Sequence, residues 1–266
     1  MNNPVSQPIS QDEAPLSVEH LTVRYGAVVA VNDVSLRVEG GAITGLIGPN
    51  GAGKTTFIDA VSGFVPAAGR IRLSGNPLER YRPHRRQRSG LSRTFQSLEL
   101  FDDLTVEQNL LASRFASGWD LAREVVLGRR APVPAHIDTL LDRFELSEFR
   151  HDTVANLSQG HRKIVTIARA MAGDPTVLLL DEPAAGLDST ESRWLRDHLI
   201  ALAETGTSIL LVEHDMDLVL SACHHLYVLD FGTLIAEGTP AEISRHPAVR
   251  TAYLGAPAPE PAEETL

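Results

Sequence analysis

The chain has 266 residues, 43% of them hydrophobic, and sets 24 Lys and Arg against 34 Asp and Glu for a net charge of −10. That length supports one large domain or two small ones with a sizeable core, and the acidic balance speaks against a protein held to nucleic acid by many phosphate contacts. Its one cysteine, Cys223, excludes an intrachain disulfide, fits a reducing compartment and reads as a small helical packing residue.

Residues 1–15 lack the basic start and apolar core of a secretory signal and predict a disordered leader. Residues 16–25 and 30–38 alternate apolar and polar side chains, as two half-buried strands of an antiparallel layer do. Residues 42–47 form an apolar run leading into Gly48-Pro49-Asn50-Gly51-Ala52-Gly53-Lys54-Thr55-Thr56, and residues 56–61 continue with helical spacing. This is the phosphate-loop pattern in the strand–loop–helix setting it requires, and its fixed positions recur by chance in roughly one chain of this size in a hundred. Gly48, Gly51 and Gly53 let the backbone curl without Cβ clashes, so that N–H groups converge as an anion nest at a helix N-terminus. Lys54 adds a point charge for the β- and γ-phosphates, and Thr55 a hydroxyl for magnesium.

Residues 69–73, followed by Ser74-Gly75-Asn76-Pro77, predict a short strand and a turn. Arg80, Arg82, His84, Arg85, Arg86 and Arg88 then cluster without interleaved aromatics for base stacking; they read as a solvated face, or as a contact to phosphate or a partner. Residues 104–149 have helix-like spacing with a break at 128–134, as an inserted helical subdomain, and 158–171 a further helix. Residues 177–180 and 208–212 are continuous apolar runs, expected for strands buried on both faces. Asp181-Glu182 ends the first of these, where open α/β sheets bind ligands. An Asp there can hold magnesium, and the adjacent Glu can polarise an attacking water. Residues 226–229 and 234–237 flank a turn at Gly232 as a hairpin, and Thr239-Pro240-Ala241-Glu242 is a capping box. Residues 256–266, rich in Pro, Ala and Glu, predict a disordered tail. No window approaches about 18 uninterrupted apolar residues, so no transmembrane helix is expected. No internal repeat is visible, and the order of elements gives an α/β core with one nucleotide-binding unit.

With these motifs in this order, the chain resembles the ATP-binding subunits of ABC transporters from residue 16 to residue 254. Arg93-Thr94-Phe95-Gln96 is similar to the family's Q-loop, Gly186-Leu187-Asp188 to its D-loop, and Val212-Glu213-His214-Asp215 carries the switch histidine, His214. Leu157-Ser158-Gln159-Gly160-His161 stands at the signature motif, whose usual form is Leu-Ser-Gly-Gly-Gln; Gln159 and His161 depart from it, while Ser158 and Gly160 remain. Tyr25 stands where the family stacks an aromatic ring on adenine.

The resemblance implies a P-loop NTPase (RecA-like) core with an antiparallel β layer and an α-helical subdomain inserted at about residues 97–160, within an ABC ATPase domain spanning 16–255. It implies ATP and Mg2+ as ligands. Two ATPase subunits, identical or different, would sandwich ATP head to tail, the signature residues Ser158, Gln159 and Gly160 of one meeting the phosphate loop of the other. Lys54, the loop amides and the partner's Ser158 would neutralise the γ-phosphate. Thr55, Gln96 and Asp181 would organise magnesium, Glu182 would act as general base, His214 would bridge water and γ-phosphate, and Asp188 would communicate across the dimer. Separate membrane permease subunits are implied, with this chain peripheral on the cytoplasmic face and no nucleic acid as partner. A groove near residues 96–104, with Phe95, Leu98, Leu100 and Phe101, would receive a permease helix. Residues 93–101, 104–110, 213–216 and 249–255 look like ATPases of branched-chain amino acid importers. Uptake of branched-chain amino acids, or of a related small amide such as urea, is therefore placed first. A lipopolysaccharide or lipid exporter, or a soluble ABC ATPase without a transport role, stands behind it.

Overall fold

The computed structural model describes residues 14–94, 100–112 and 134–254. The expected leader and tail fall almost wholly outside these residues, as do Phe95, Gln96, Leu98 and the expected helix break.

Two sheets share one core. The smaller is antiparallel: β1 (Leu16–Tyr25), β2 (Val28–Val38), β4 (Ala68–Leu73) and the short β5 (Asn76–Pro77), in the order β2-β1-β4-β5. The larger has the order β10-β9-β3-β8-β7-β6. Its strands are β3 (Ile43–Ile47), β6 (Leu91–Arg93), β7 (Val177–Asp181), β8 (Ser208–Val212), β9 (His225–Asp230) and β10 (Thr233–Gly238). Neighbours pair in parallel from β9 to β6, and β10 turns back on β9.

The apolar runs are continuous because each central strand is covered twice. In β7, Val177 and Leu179 face the small sheet and α1 (Lys54–Ser62), while Leu178 and Leu180 face the helices on the other side. In β8, Leu210 and Val212 face one way, Ile209 and Leu211 the other. The period of two along a strand divides one hydrophobic run between two cores. Alternation in β1 has the opposite cause, since Leu16, Val18, Leu21 and Val23 are buried and the residues between them are half-buried or exposed.

On the helical face pack α3 (Val106–Ala112), α4 (Ala135–Arg143), α5 (Gln159–Met171), α6 (Ser189–Glu204), α7 (Met216–Ala222) and α8 (Pro240–Ile243). The capping box at Thr239 and Glu242 starts α8 as its spacing predicts, and α9 (Pro247–Leu254) follows. A second capping box, Asp188 with Glu191, starts α6. Cys223 lies just beyond α7, and burial pushes its thiol up to about 12, which makes it a packing group rather than a nucleophile.

The basic cluster corrects one expectation. Residues 83–88 form α2 (Pro83–Arg88), and Arg86 is buried. Its Nη1 donates to Ala60 O at 2.9 Å and Val61 O at 2.7 Å, and its Nε donates to Tyr81 O at 3.0 Å. Arg86 thus bonds carbonyls at the end of the phosphate-loop helix α1, sharing Ala60 O with Gly63 N–H, with a positive charge at the negative end of the helix dipole. Arg80, Arg82, Arg85 and Arg88 are exposed, as a solvated face requires. Arg86→Ala is expected to lower stability by about 2–3 kcal/mol, because it takes a buried donor from the Val61 and Tyr81 carbonyls and leaves the space of the side chain empty; Arg85→Ala should cost less than about 0.5 kcal/mol. Urea unfolding of the two variants checks this.

Candidate functional site

The C-terminal ends of the parallel strands lie at one edge of the large sheet, and chemistry-bearing residues follow four of them. The loop 48–53 follows β3, Asp181 ends β7 with Glu182 next, Glu213 and His214 follow β8, and Arg93 ends β6. Strand direction alone therefore gathers residues far apart in sequence.

The loop is pinned by close backbone approach. A Cβ on Gly48 would lie 2.2 Å from Leu229 O, and one on Gly53 would lie 2.5 Å from Ala30 O. Both glycines also have positive φ, 154° and 102°. Gly232 N–H donates to Ala52 O at 2.9 Å, and Asn32 N–H donates to Gly232 O at 2.7 Å, so the β9–β10 turn staples the loop to β2. Lys54 is buried, and its Nζ donates to Gly48 O at 2.6 Å and Pro49 O at 3.2 Å, curling back over the loop. Burial holds its ammonium below its ordinary value, against the pull of Glu182, Asp181 and Glu213. Thr55 and Asn50 are exposed, Pro49 and Thr56 half-buried. Tyr25 ends β1 and is half exposed, beside the β2 strand that backs the loop.

Asp181 is almost wholly buried. Its Oδ2 accepts from Arg93 Nη2 at 2.9 Å, while Arg93 Nη1 reaches Asp59 of α1 at 2.6 Å. Arg93 thus ties β7 to the phosphate-loop helix, a role that its place beside the Q-loop residues does not announce. Burial pushes the Asp181 carboxyl up, and the Arg93 guanidinium pulls it back. Oδ1 of Asp181 is buried with no hydrogen-bond partner among the described residues. A lone carboxylate oxygen beside the Thr55 hydroxyl's helix fits a hard divalent cation.

Glu182 has φ of 46°, in the left-handed region that β-strand residues avoid. Its N–H donates to Val212 O at 2.8 Å and its carbonyl accepts from Ala185 N–H at 3.2 Å, which hold the turn. The turn carries Oε1 to 3.7 Å from Nδ1 of the exposed His214, close enough for both groups to face the same small molecule.

Glu213 is the residue that sequence reasoning missed as functional. It is fully buried, and its Oε1 accepts from Ala184 N–H at 2.8 Å. Its Oε2 accepts from His214 N–H at 3.0 Å and Asp215 N–H at 3.4 Å. One carboxylate therefore holds both the turn after Glu182 and the switch-histidine loop. Burial pushes the Glu213 carboxyl up, and those three amides oppose it. The buried ammonium of Lys163, on α5, is held low by desolvation and drawn up by Glu213 and Glu182. The signal in the sequence is a carboxylate directly after a five-residue buried strand.

Ser158, Gln159, Gly160 and Asp188 form a second cluster. Ser158 caps α5, and Asp188 caps α6 by accepting from Thr190 and Glu191 N–H groups, which hold its carboxyl below the usual carboxylate range. A Cβ on Gly186 would lie 2.5 Å from Gln159 Nε2, so the unusual Gln159 rests on the D-loop glycine. The other departure, His161, packs between Phe149 and Trp194, with ring centroids 4.5 and 5.1 Å away. Among the described residues no hydrogen bond joins this cluster to the phosphate loop.

Residues 31–185 match the family described as ABC transporter. The chain belongs to the ABC transporter family. It is accordingly a nucleotide-binding ATPase of the ABC type, with the mixed α/β fold expected of a P-loop NTPase. Residues 233–259 match a second family, described as branched-chain amino acid ATP-binding cassette transporter. The high-affinity branched-chain amino acid transport ATP-binding protein BraF of Pseudomonas aeruginosa is 38% identical, over 90% of this chain and 97% of that protein. LivG of Escherichia coli, described in the same words, is 40% identical over 94% of this chain and 99% of its own. The crystal structure of an ATP-binding cassette of an ABC transporter in its ADP conformation superposes with a TM-score of 0.81 at 29% identity, covering 92% of this chain and all of the other.

The geometry of Glu213 generates a test. Glu213→Gln offers one acceptor oxygen to two loops and is expected to lower kcat for ATP at least roughly tenfold while leaving KM within about twofold. Steady-state ATPase assays check the split; a parallel loss of ATP affinity would make Glu213 a merely structural anchor.

Proposed function

We propose that this chain is the ATP-hydrolysing subunit of an importer of branched-chain amino acids, peripheral on the cytoplasmic face of the membrane and attached to separate permease subunits. The observation that carries the reading is the convergence of Lys54, Asp181, Glu182 and His214 around one pinned phosphate loop, in a chain whose C-terminal segment matches a branched-chain amino acid ATP-binding cassette transporter family and whose relatives are named for branched-chain amino acid transport. Among the described residues no helix is long and apolar enough to cross a membrane, so translocation falls to other subunits.

The loop amides and Lys54 bind the phosphates of ATP, Lys54 exchanging its bonds to Gly48 O and Pro49 O for phosphate oxygens. Tyr25 offers its exposed ring to adenine. Thr55 and Asp181 would hold Mg2+, with Gln96 outside the described residues; the ion would supply charge neutralisation on the phosphates. Glu182, aimed by its left-handed turn, accepts a proton from the attacking water, and His214 orients that water against the γ-phosphate. The signature cluster, which no hydrogen bond among the described residues joins to the phosphate loop, serves a second subunit. In a head-to-tail dimer, Ser158 and Gly160 of the partner subunit meet the γ-phosphate and Asp188 lies at the seam. ATP closes the pair, and hydrolysis reopens it.

Hydrolysis reaches the permease through a groove of about 510 Å³ lined by Phe64, Pro83, Leu91, Phe101 and Arg169 among others. Phe101 is half exposed there, as a docking residue requires, and Arg93 lines the same groove while holding Asp181. Leu100, expected beside it, is instead buried in the core.

Glu182→Gln tests the reading. The purified variant is expected to lose ATP hydrolysis at least roughly a hundredfold while still binding ATP. Cells carrying it in place of the wild-type chain are expected to lose ATP-driven leucine, isoleucine and valine uptake. Wild-type hydrolysis would refute the base; normal uptake of all three amino acids would refute the importer.

A further inference from the structure

The signature end of α5 is already engaged by groups of its own chain. A helix N-terminus presents amides that favour an anion. Here His161 N–H donates to Ser158 Oγ at 3.2 Å, and Gly160 N–H donates to Glu191 Oε1 at 3.2 Å. Ser158 Oγ also lies 2.8 Å from His161 Nδ1. Glu191 belongs to the first turn of α6, and its other oxygen accepts from Asp188 N–H at 3.3 Å. A Cβ on Gly160 would stand only 2.8 Å from Glu191 Oε1, so the carboxylate rests directly on the signature glycine.

A carboxylate on the Gly160 amide stands where the head-to-tail reading brings a γ-phosphate. Two anions do not share one amide at van der Waals distance without strong repulsion. We propose that Glu191 is an internal competitor for the signature amide, a positioning residue that holds Gly160 N–H in the open chain and yields it to the γ-phosphate of ATP bound by the partner subunit. The inference rests on the head-to-tail reading and adds a consequence to it. Because the same carboxylate completes the capping box on Asp188, arrival of the phosphate loosens the start of α6 just behind the D-loop. Recognition of ATP at the signature is thereby coupled to the D-loop through one side chain, and the ATP concentration that closes the dimer is raised.

The test uses Glu182→Gln chains, in which ATP is not consumed, and reads the ATP concentration for half-maximal dimerisation by analytical ultracentrifugation. Adding Glu191→Gln keeps an acceptor in place and removes the charge; it is expected to lower that concentration roughly threefold to tenfold. Adding Glu191→Ala is expected to lower it as well, while also lowering Tm through loss of the capping box. A purely structural role predicts the opposite pairing, with lower Tm and more ATP required. An unchanged or raised ATP requirement in both double variants, beside a normal dimer of the Glu182→Gln parent, would overturn the inference alone. No ATP-dependent dimer in the parent would overturn the head-to-tail reading, and the inference with it.

Discussion

Everything else in this molecule depends on three backbones meeting at the phosphate loop. The space for a Cβ on Gly48 is taken by Leu229 O, that on Gly53 by Ala30 O, and that on Gly232 again by Ala30 O, at 2.2, 2.5 and 2.7 Å. The loop belongs to the large sheet, Ala30 to the small one, and Leu229 and Gly232 to the terminal hairpin. Binding phosphate requires amides aimed at a point, and that aim is set by contacts from both sheets at once. The antiparallel layer is therefore part of the nucleotide site even though, in this reading, only Tyr25 at its edge touches the ligand.

A second layer of control lies in buried charge. Arg93 links Asp181 to Asp59, Glu213 links the Glu182 turn to the His214 loop, and Arg86 closes the far end of α1. Each is a charged group at or near full burial whose partners are fixed hydrogen bonds rather than water. Such groups contribute little net stability, but removing one partner leaves the other desolvated and unpaired. They make the relative positions of the four strand ends hard to vary, which suits the proposed reading, in which Glu182 and His214 act on one water. The signature cluster is built differently. Ser158, Asp188 and Glu191 are exposed or half-buried, and their bonds can be exchanged for contacts to another subunit.

Local pattern made the strands legible, because alternation in β1 and continuity in β7 and β8 are direct consequences of one-sided and two-sided burial. The phosphate loop was legible for a different reason, since its glycines answer to backbone geometry alone. Arg86 was not, because a buried arginine and its solvated neighbours look the same in a basic run; only the carbonyls of Ala60 and Val61, set by tertiary packing, distinguish it. β6 is three residues long and owes its existence to pairing with β7. Glu213 and Arg93 escape for the same reason, as their partners come from other strand ends. α6 does carry a start signal, the Asp188–Glu191 spacing, but reading Asp188 as a nucleotide-side residue leaves that signal unused.

The central claim is that the pinned loop and Lys54 hold the phosphates of ATP at the meeting point of the sheets. Calorimetric titration of ATP into the wild-type chain and Lys54→Ala tests it most directly. The account predicts that Lys54→Ala still folds, with some loss of Tm, but binds ATP at least roughly tenfold more weakly. Wild-type affinity in the folded variant would contradict it, and would move the phosphate site away from this loop.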